Sequence, residues 1–191
     1  MTILVLGSSH ICRLKAYVWA NMGDFSFELS PPHKIVMHGI SGAKIESDSH
    51  CKSFDRVVRE HRPKGLVVQI GGNDLDQEGV DDDTAEAVVL RVICITSLLQ
   101  RRYDIKKVMV AQFLTRQSTR HCRADAYNQA VHHANVFLKA QLLEDPALFY
   151  WKLKGVKNSV SNIWADGVHF SQVGQLKYYR NIRGAILQCL K

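Results

Sequence analysis

Leu66-Val67-Val68-Gln69-Ile70-Gly71-Gly72-Asn73-Asp74 passes from a short aliphatic, β-branched run straight into glycine, asparagine and aspartate. The run is too short for a helix and has the composition of a strand. Its almost unbroken apolar character is expected where both faces of a parallel sheet are covered. The polar, glycine-rich turn follows at the carboxyl end of that strand, the edge of an open parallel sheet where sites form.

Moving outward, residues 3–6 and 108–113 are similar continuous apolar runs, and residues 35–38 and 148–151 are weaker ones. Helical periodicity occupies residues 9–22, 49–61, 82–100, 124–143 and 173–190. Strand and helix thus alternate five times. This predicts a three-layer α/β/α sandwich around a five-stranded parallel sheet, organised as one domain over residues 1–191. Asp81-Asp82-Asp83-Thr84 supplies a cap and negative charge for the third helix. Pro31-Pro32 and Pro63 interrupt the connections.

An apolar share of 46% over 191 residues is enough for a proper core. No apolar run reaches the roughly 20 residues of a membrane-spanning helix. The first six residues form too short a run for a secretory leader and read as a strand, so an intracellular protein is expected, cytoplasmic or nuclear. The five cysteines are scattered and lack a C-x-x-C pair, which argues against a disulfide framework or zinc site. Cys12 and Cys94 lie in helical patterns and are expected in the core. A net charge of +7 permits nucleic-acid or other anionic partners. The basic clusters Arg101-Arg102, Lys106-Lys107 and 152–157 are short and separated, so solvated faces are favoured over a nucleic-acid groove.

Three glycine-rich turns follow the first three strands: Gly7-Ser8-Ser9-His10, Gly39-Ile40-Ser41-Gly42 and Gly71-Gly72-Asn73-Asp74. A fourth polar block, Asp166-Gly167-Val168-His169, precedes the last helix. Together they contain the parts of an acyl-transfer site. Ser9 is a candidate nucleophile, although a serine at a helix start also serves as an N-cap. Ser9 N–H, Gly42 N–H and the Asn73 amide could donate to an oxyanion, while ordinary turn roles remain open for Gly42 and Asn73. Asp166 and His169, three apart, could share one turn, with His169 as base and Asp166 holding its tautomer. Asp74 would order its loop, and His10, next to the serine, would have a minor role at most.

In order and spacing these blocks resemble the SGNH (GDSL-type) hydrolase family, named for a Ser, a Gly, an Asn and a His in four blocks. The likeness runs from Gly7 to Gly174 and includes Phe170-Ser171-x-x-Gly174 after the histidine. Ser8 departs from the pattern, standing where the family has aspartate. The resemblance implies a flavodoxin-like fold and a cofactor-free serine esterase acting on carboxyl esters of small acyl groups or lipids. The lack of a long lid insertion favours acetyl-type groups. The chain is also similar to esterase-like domains in the first open reading frames of some retrotransposons. A rival reading is an SGNH-like module that binds nucleic acid or a protein partner. His132-His133, His50, His61 and His121 show no metal-ligand spacing, and no metal is expected.

Overall fold

The computed structural model describes residues 1–156 and 161–191; Lys157, part of the third basic cluster, lies outside them. The strands are β1 (Thr2–Gly7), β2 (Lys34–Gly39), β3 (Gly65–Gln69), β4 (Lys107–Ala111) and β5 (Leu148–Trp151). They form one parallel sheet in the order β2-β1-β3-β4-β5. The helices are α1 (Ser9–Met22), α2 (Asp48–His61), α3 (Asp82–Tyr103), α4 (Ala124–Gln141) and α5 (Gln172–Cys189).

Alternation along each strand divides the core in two. Leu4, Leu6, Leu66, Val68, Val108 and Val110 pack with residues of α2, α3 and α4. Ile3, Val5, Ile35, Met37, Val67 and Met109 face the other way, onto α1 and α5. Each fully buried aliphatic side chain contributes about 1.5–3 kcal/mol. An exposed pair such as Lys52–Asp48 is screened by solvent and contributes far less. The two apolar layers therefore hold the fold. The cysteines differ from expectation: Cys94 is exposed and Cys12 half-buried, whereas Cys189 is the buried one, set against β3. Both helices hold their apolar stripe without the thiol, which the periodicity could not distinguish from its neighbours.

Strand order reverses at the neighbours β1 and β3, the switch point that opens a crevice beyond their carboxyl ends. Gly7 allows the close approach there. A β-carbon on it would lie 2.3 Å from the Gln69 carbonyl oxygen.

Candidate active site

Ser9 is the first residue of α1, so its N–H is one of the amides that the helix itself leaves without a partner. The preceding residue, Ser8, turns inward and is buried. Its N–H donates to the Gln69 carbonyl at 3.2 Å and its hydroxyl to Gln69 Oε1 at 3.4 Å. Ser8 thus ties the turn to β3 without capping the helix, and Ser9 faces the crevice.

Asp166 and His169 meet Ser9 from the other end of the chain. They stand in a loop closed by an antiparallel bridge between Trp164 and Phe170, not on a helical turn as their spacing suggested. Asp166 Oδ1 accepts the N–H groups of Val168 at 3.0 Å and His169 at 2.6 Å, folding the loop around the carboxylate. Gly167 allows the bend, with φ of +79°. Its carbonyl accepts from Gln117 N–H at 2.7 Å, which fixes this loop to the one after β4. His169 Nδ1 lies 2.8 Å from Asp166 Oδ2, and His169 Nε2 lies 3.0 Å from Ser9 Oγ. Burial pushes the Asp166 carboxyl up, but the His169 N–H, the His169 ring and the Val168 N–H outweigh it and hold the group well below the usual carboxylate range. A carboxylate that stays charged keeps the Nδ1 proton of His169 in place and leaves Nε2 to accept from the hydroxyl.

Gly42 and Asn73 reach the same cleft, a hollow of about 420 Å³ shared with Ser9, Asp166 and His169. Gly42 has φ of +69°, a conformation that favours glycine, and a β-carbon there would meet open space. Asn73 Nδ2 donates to the Ala43 carbonyl at 3.0 Å, linking the third block to the second. Asp74 strengthens that link by accepting from Ile45 N–H at 2.8 Å and Glu46 N–H at 3.3 Å. Burial outweighs those two donors and pushes its carboxyl up to about 6.

Two further residues, Arg116 and Asp76, escaped the sequence reading. Arg116, just past β4, is almost fully buried and binds Asp76 Oδ2 at 2.9 Å and Asn73 Oδ1 at 2.7 Å. Asp76 also accepts from Arg120 N–H at 3.1 Å and His121 N–H at 3.0 Å. Applying the strand-end rule to β4 as well would have singled out Arg116. His10 is also buried, its ring 5.5 Å from that of His169 and packed on Phe170 and Tyr178. Burial first, then the charges of His169, Arg116 and Arg13, lower its pKa to about 3 and keep it neutral. Among the described residues, no group of three or more His, Cys, Asp or Glu is placed to hold a metal ion. No described helix is long and apolar enough to cross a membrane.

Solved structures share this architecture. A GDSL-like lipase from Bacteroides thetaiotaomicron is 17% identical with a TM-score of 0.72, over 98% of this chain and 88% of its own. TesA is 17% identical with a TM-score of 0.72, over 99% of each chain. The acetyl xylan esterase AlAXEase is 18% identical with a TM-score of 0.62, over 97% of this chain and all of its own. A search of curated proteins gave no significant match. At such identities the structural likeness speaks for the fold, but a sequence model described as GDSL-like lipase/acylhydrolase also matches residues 12–182, beginning just past Ser9. Since that match runs from α1 into α5 and takes in the second, third and fourth blocks, the chain belongs to the GDSL-like lipase/acylhydrolase family.

Proposed function

We propose that the protein is a serine esterase that cleaves carboxyl esters of short acyl groups through an acyl-enzyme. The observation that carries this reading is the continuous chain Asp166 Oδ2, His169 Nδ1, His169 Nε2 and Ser9 Oγ, with contacts of 2.8 and 3.0 Å. Ser9 Oγ attacks the ester carbonyl while His169 Nε2 takes its proton, and Asp166 stabilises the imidazolium. The developing oxyanion is met by Ser9 N–H, Gly42 N–H and the Asn73 amide. His169 returns the proton to the leaving alkoxide. It then deprotonates a water that attacks the acyl-serine, releasing the carboxylic acid and restoring Ser9.

The cleft wall supports a small acyl group: among the described residues Val168 supplies its one aliphatic side chain. A long acyl chain would find little apolar surface, whereas an acetyl group needs almost none. No cofactor takes part in these steps. Treatment with a fluorophosphonate probe should label the protein once, at Ser9, and leave Ser9→Ala unlabelled. Absence of labelling, together with tight and salt-sensitive binding to single-stranded RNA, would replace the esterase by a nucleic-acid-binding module.

A further inference from the structure

We propose that the ester cleaved here carries an anionic group, a phosphate or carboxylate, on its alcohol side, held by Lys44 and Arg120. This rests on the esterase reading and names its substrate class.

The charges of the cleft wall are unequally committed. Among the described residues its two carboxylates, Asp76 and Asp166, are already used. Asp76 is bound by Arg116 and by the N–H groups of Arg120 and His121. Asp166 is bound by His169, by two backbone N–H groups and, at 3.5 Å, by Arg13. Neither is free to receive a cationic substrate.

The cations at the rim are less committed. Arg120 is exposed and makes no ion pair among the described residues, although its backbone is pinned by Asp76. The side chain therefore projects from a fixed point beside the cleft. Among the described residues Lys44 pairs only with the solvent-exposed Glu46, at 3.4 Å. Glu46 also reaches Arg91 at 3.6 Å, so it keeps a counter-charge when Lys44 turns to a ligand. The buried Arg116 is matched by Asp76, so that pair adds no net charge to the wall and an anion is left to the two rim cations. With so little apolar wall, a ligand's alcohol portion gains more from these cations than from hydrophobic contact.

The test compares acetyl esters of one phenol series: 4-acetoxybenzoate, 4-acetoxyphenyl phosphate, the neutral 4-acetoxybenzamide and the cationic 4-acetoxy-N,N,N-trimethylanilinium. Each kcat/KM is divided by the ester's rate of cleavage by neutral imidazole, which removes differences in leaving-group quality without a charge bias. At low salt the better anion should exceed the amide by about tenfold, with the cation slowest, and added salt should erode the preference. The larger of the two anionic values identifies phosphate or carboxylate. In a Lys44→Gln/Arg120→Gln double variant of unchanged circular dichroism, the anion-to-neutral ratio should fall towards one. An amide cleaved as well as both anions, or a preference that survives the double substitution, would overturn the proposal. If no ester of the set is cleaved, the esterase reading fails instead. Binding of 4-acetoxybenzoate and 4-acetoxybenzamide to the Ser9→Ala protein, followed by NMR titration, then decides the anion preference independently: tighter binding of the benzoate supports it and equal binding overturns it.

Discussion

Arg116 donates to Asn73 Oδ1 at 2.7 Å and thereby fixes which way the amide faces. A guanidinium can only donate, so the amide oxygen must point to it and Nδ2 must point away, towards Ala43 and the cleft. Arg116→Leu should cost about 3–5 kcal/mol of stability, because Asp76 is left buried without its counter-charge. It should also lower kcat more than it raises KM, since the proposed Asn73 donor acts on the transition state. Urea unfolding and steady-state kinetics check both, and Arg116→Lys, which keeps the charge, should recover part of the stability.

Ser9→Ala should abolish hydrolysis of p-nitrophenyl acetate, by on the order of 10⁴ or more, because nucleophile and base act as a unit. Ser8→Ala loses only the 3.4 Å contact to Gln69 and should cost far less. Rates measured side by side decide the matter. A reversed order would move the nucleophile to Ser8.

For Asp166→Asn a fall in kcat of roughly 10²–10⁴ is expected, through loss of the imidazole tautomer and of imidazolium stabilisation. Unfolding at neutral pH should lose only a small, solvent-screened part of the charge-dependent stability, as Asp166 is about half exposed and asparagine keeps an oxygen for the Val168 and His169 N–H groups. The folded-state pKa lies below the unfolded one, so the stability it adds is present above the ordinary carboxylate range and fades only as pH falls below it. Loss of activity between pH 5 and 7 should therefore not trace to this carboxylate.

Asp74 shows the opposite sign. Its pKa rises from 3.8 to about 6 on folding, so the folded state holds the proton more tightly. The stability this adds is full below pH 3.8, is lost as pH rises through about 6, and stays lost above it. Relative to Asp74→Asn, the wild-type protein should lose about 3 kcal/mol across that window. Urea unfolding of both proteins from pH 4 to 8 measures the difference.

His10, neutral through burial, should make the fold sensitive to acid. Its pKa is lowered from 6.5 to about 3, so only the unfolded chain takes up the proton between those values. Stability present above pH 6.5 should drain away by roughly 1.4 kcal/mol per pH unit below it. His10→Phe, which keeps a ring against Phe170 and Tyr178, should flatten that slope in thermal melts.

Much of this architecture is legible because parallel strands leave continuous apolar runs and their turns leave glycine and polar residues. The run at 108–113 overshoots β4, however. Phe113 leaves the ladder and packs on Gly71, where a β-carbon would sit 2.3 Å from its ring. An apolar run reports burial, not where strand pairing stops. Spacing likewise brought Asp166 and His169 together but not as a helical turn, because the Gly167 bend and the Trp164–Phe170 bridge are tertiary features. Arg116 and Asp76 were hidden for a different reason. Burial of a polar side chain depends on partners far along the chain, as with Arg116 and Asp76, which no local pattern records.

Ser9 and His169 are 160 positions apart, and their contact closes almost the whole chain into one loop. Contacts of such long range form late, since ordering the intervening chain must precede any gain from them. During refolding, circular dichroism should recover before esterase turnover does. Hydrolysis would then act as a clock for the final step of assembly, because a chain whose last helix has not docked lacks the Phe170–Tyr178 packing beside His169 and would not hold that imidazole against the serine.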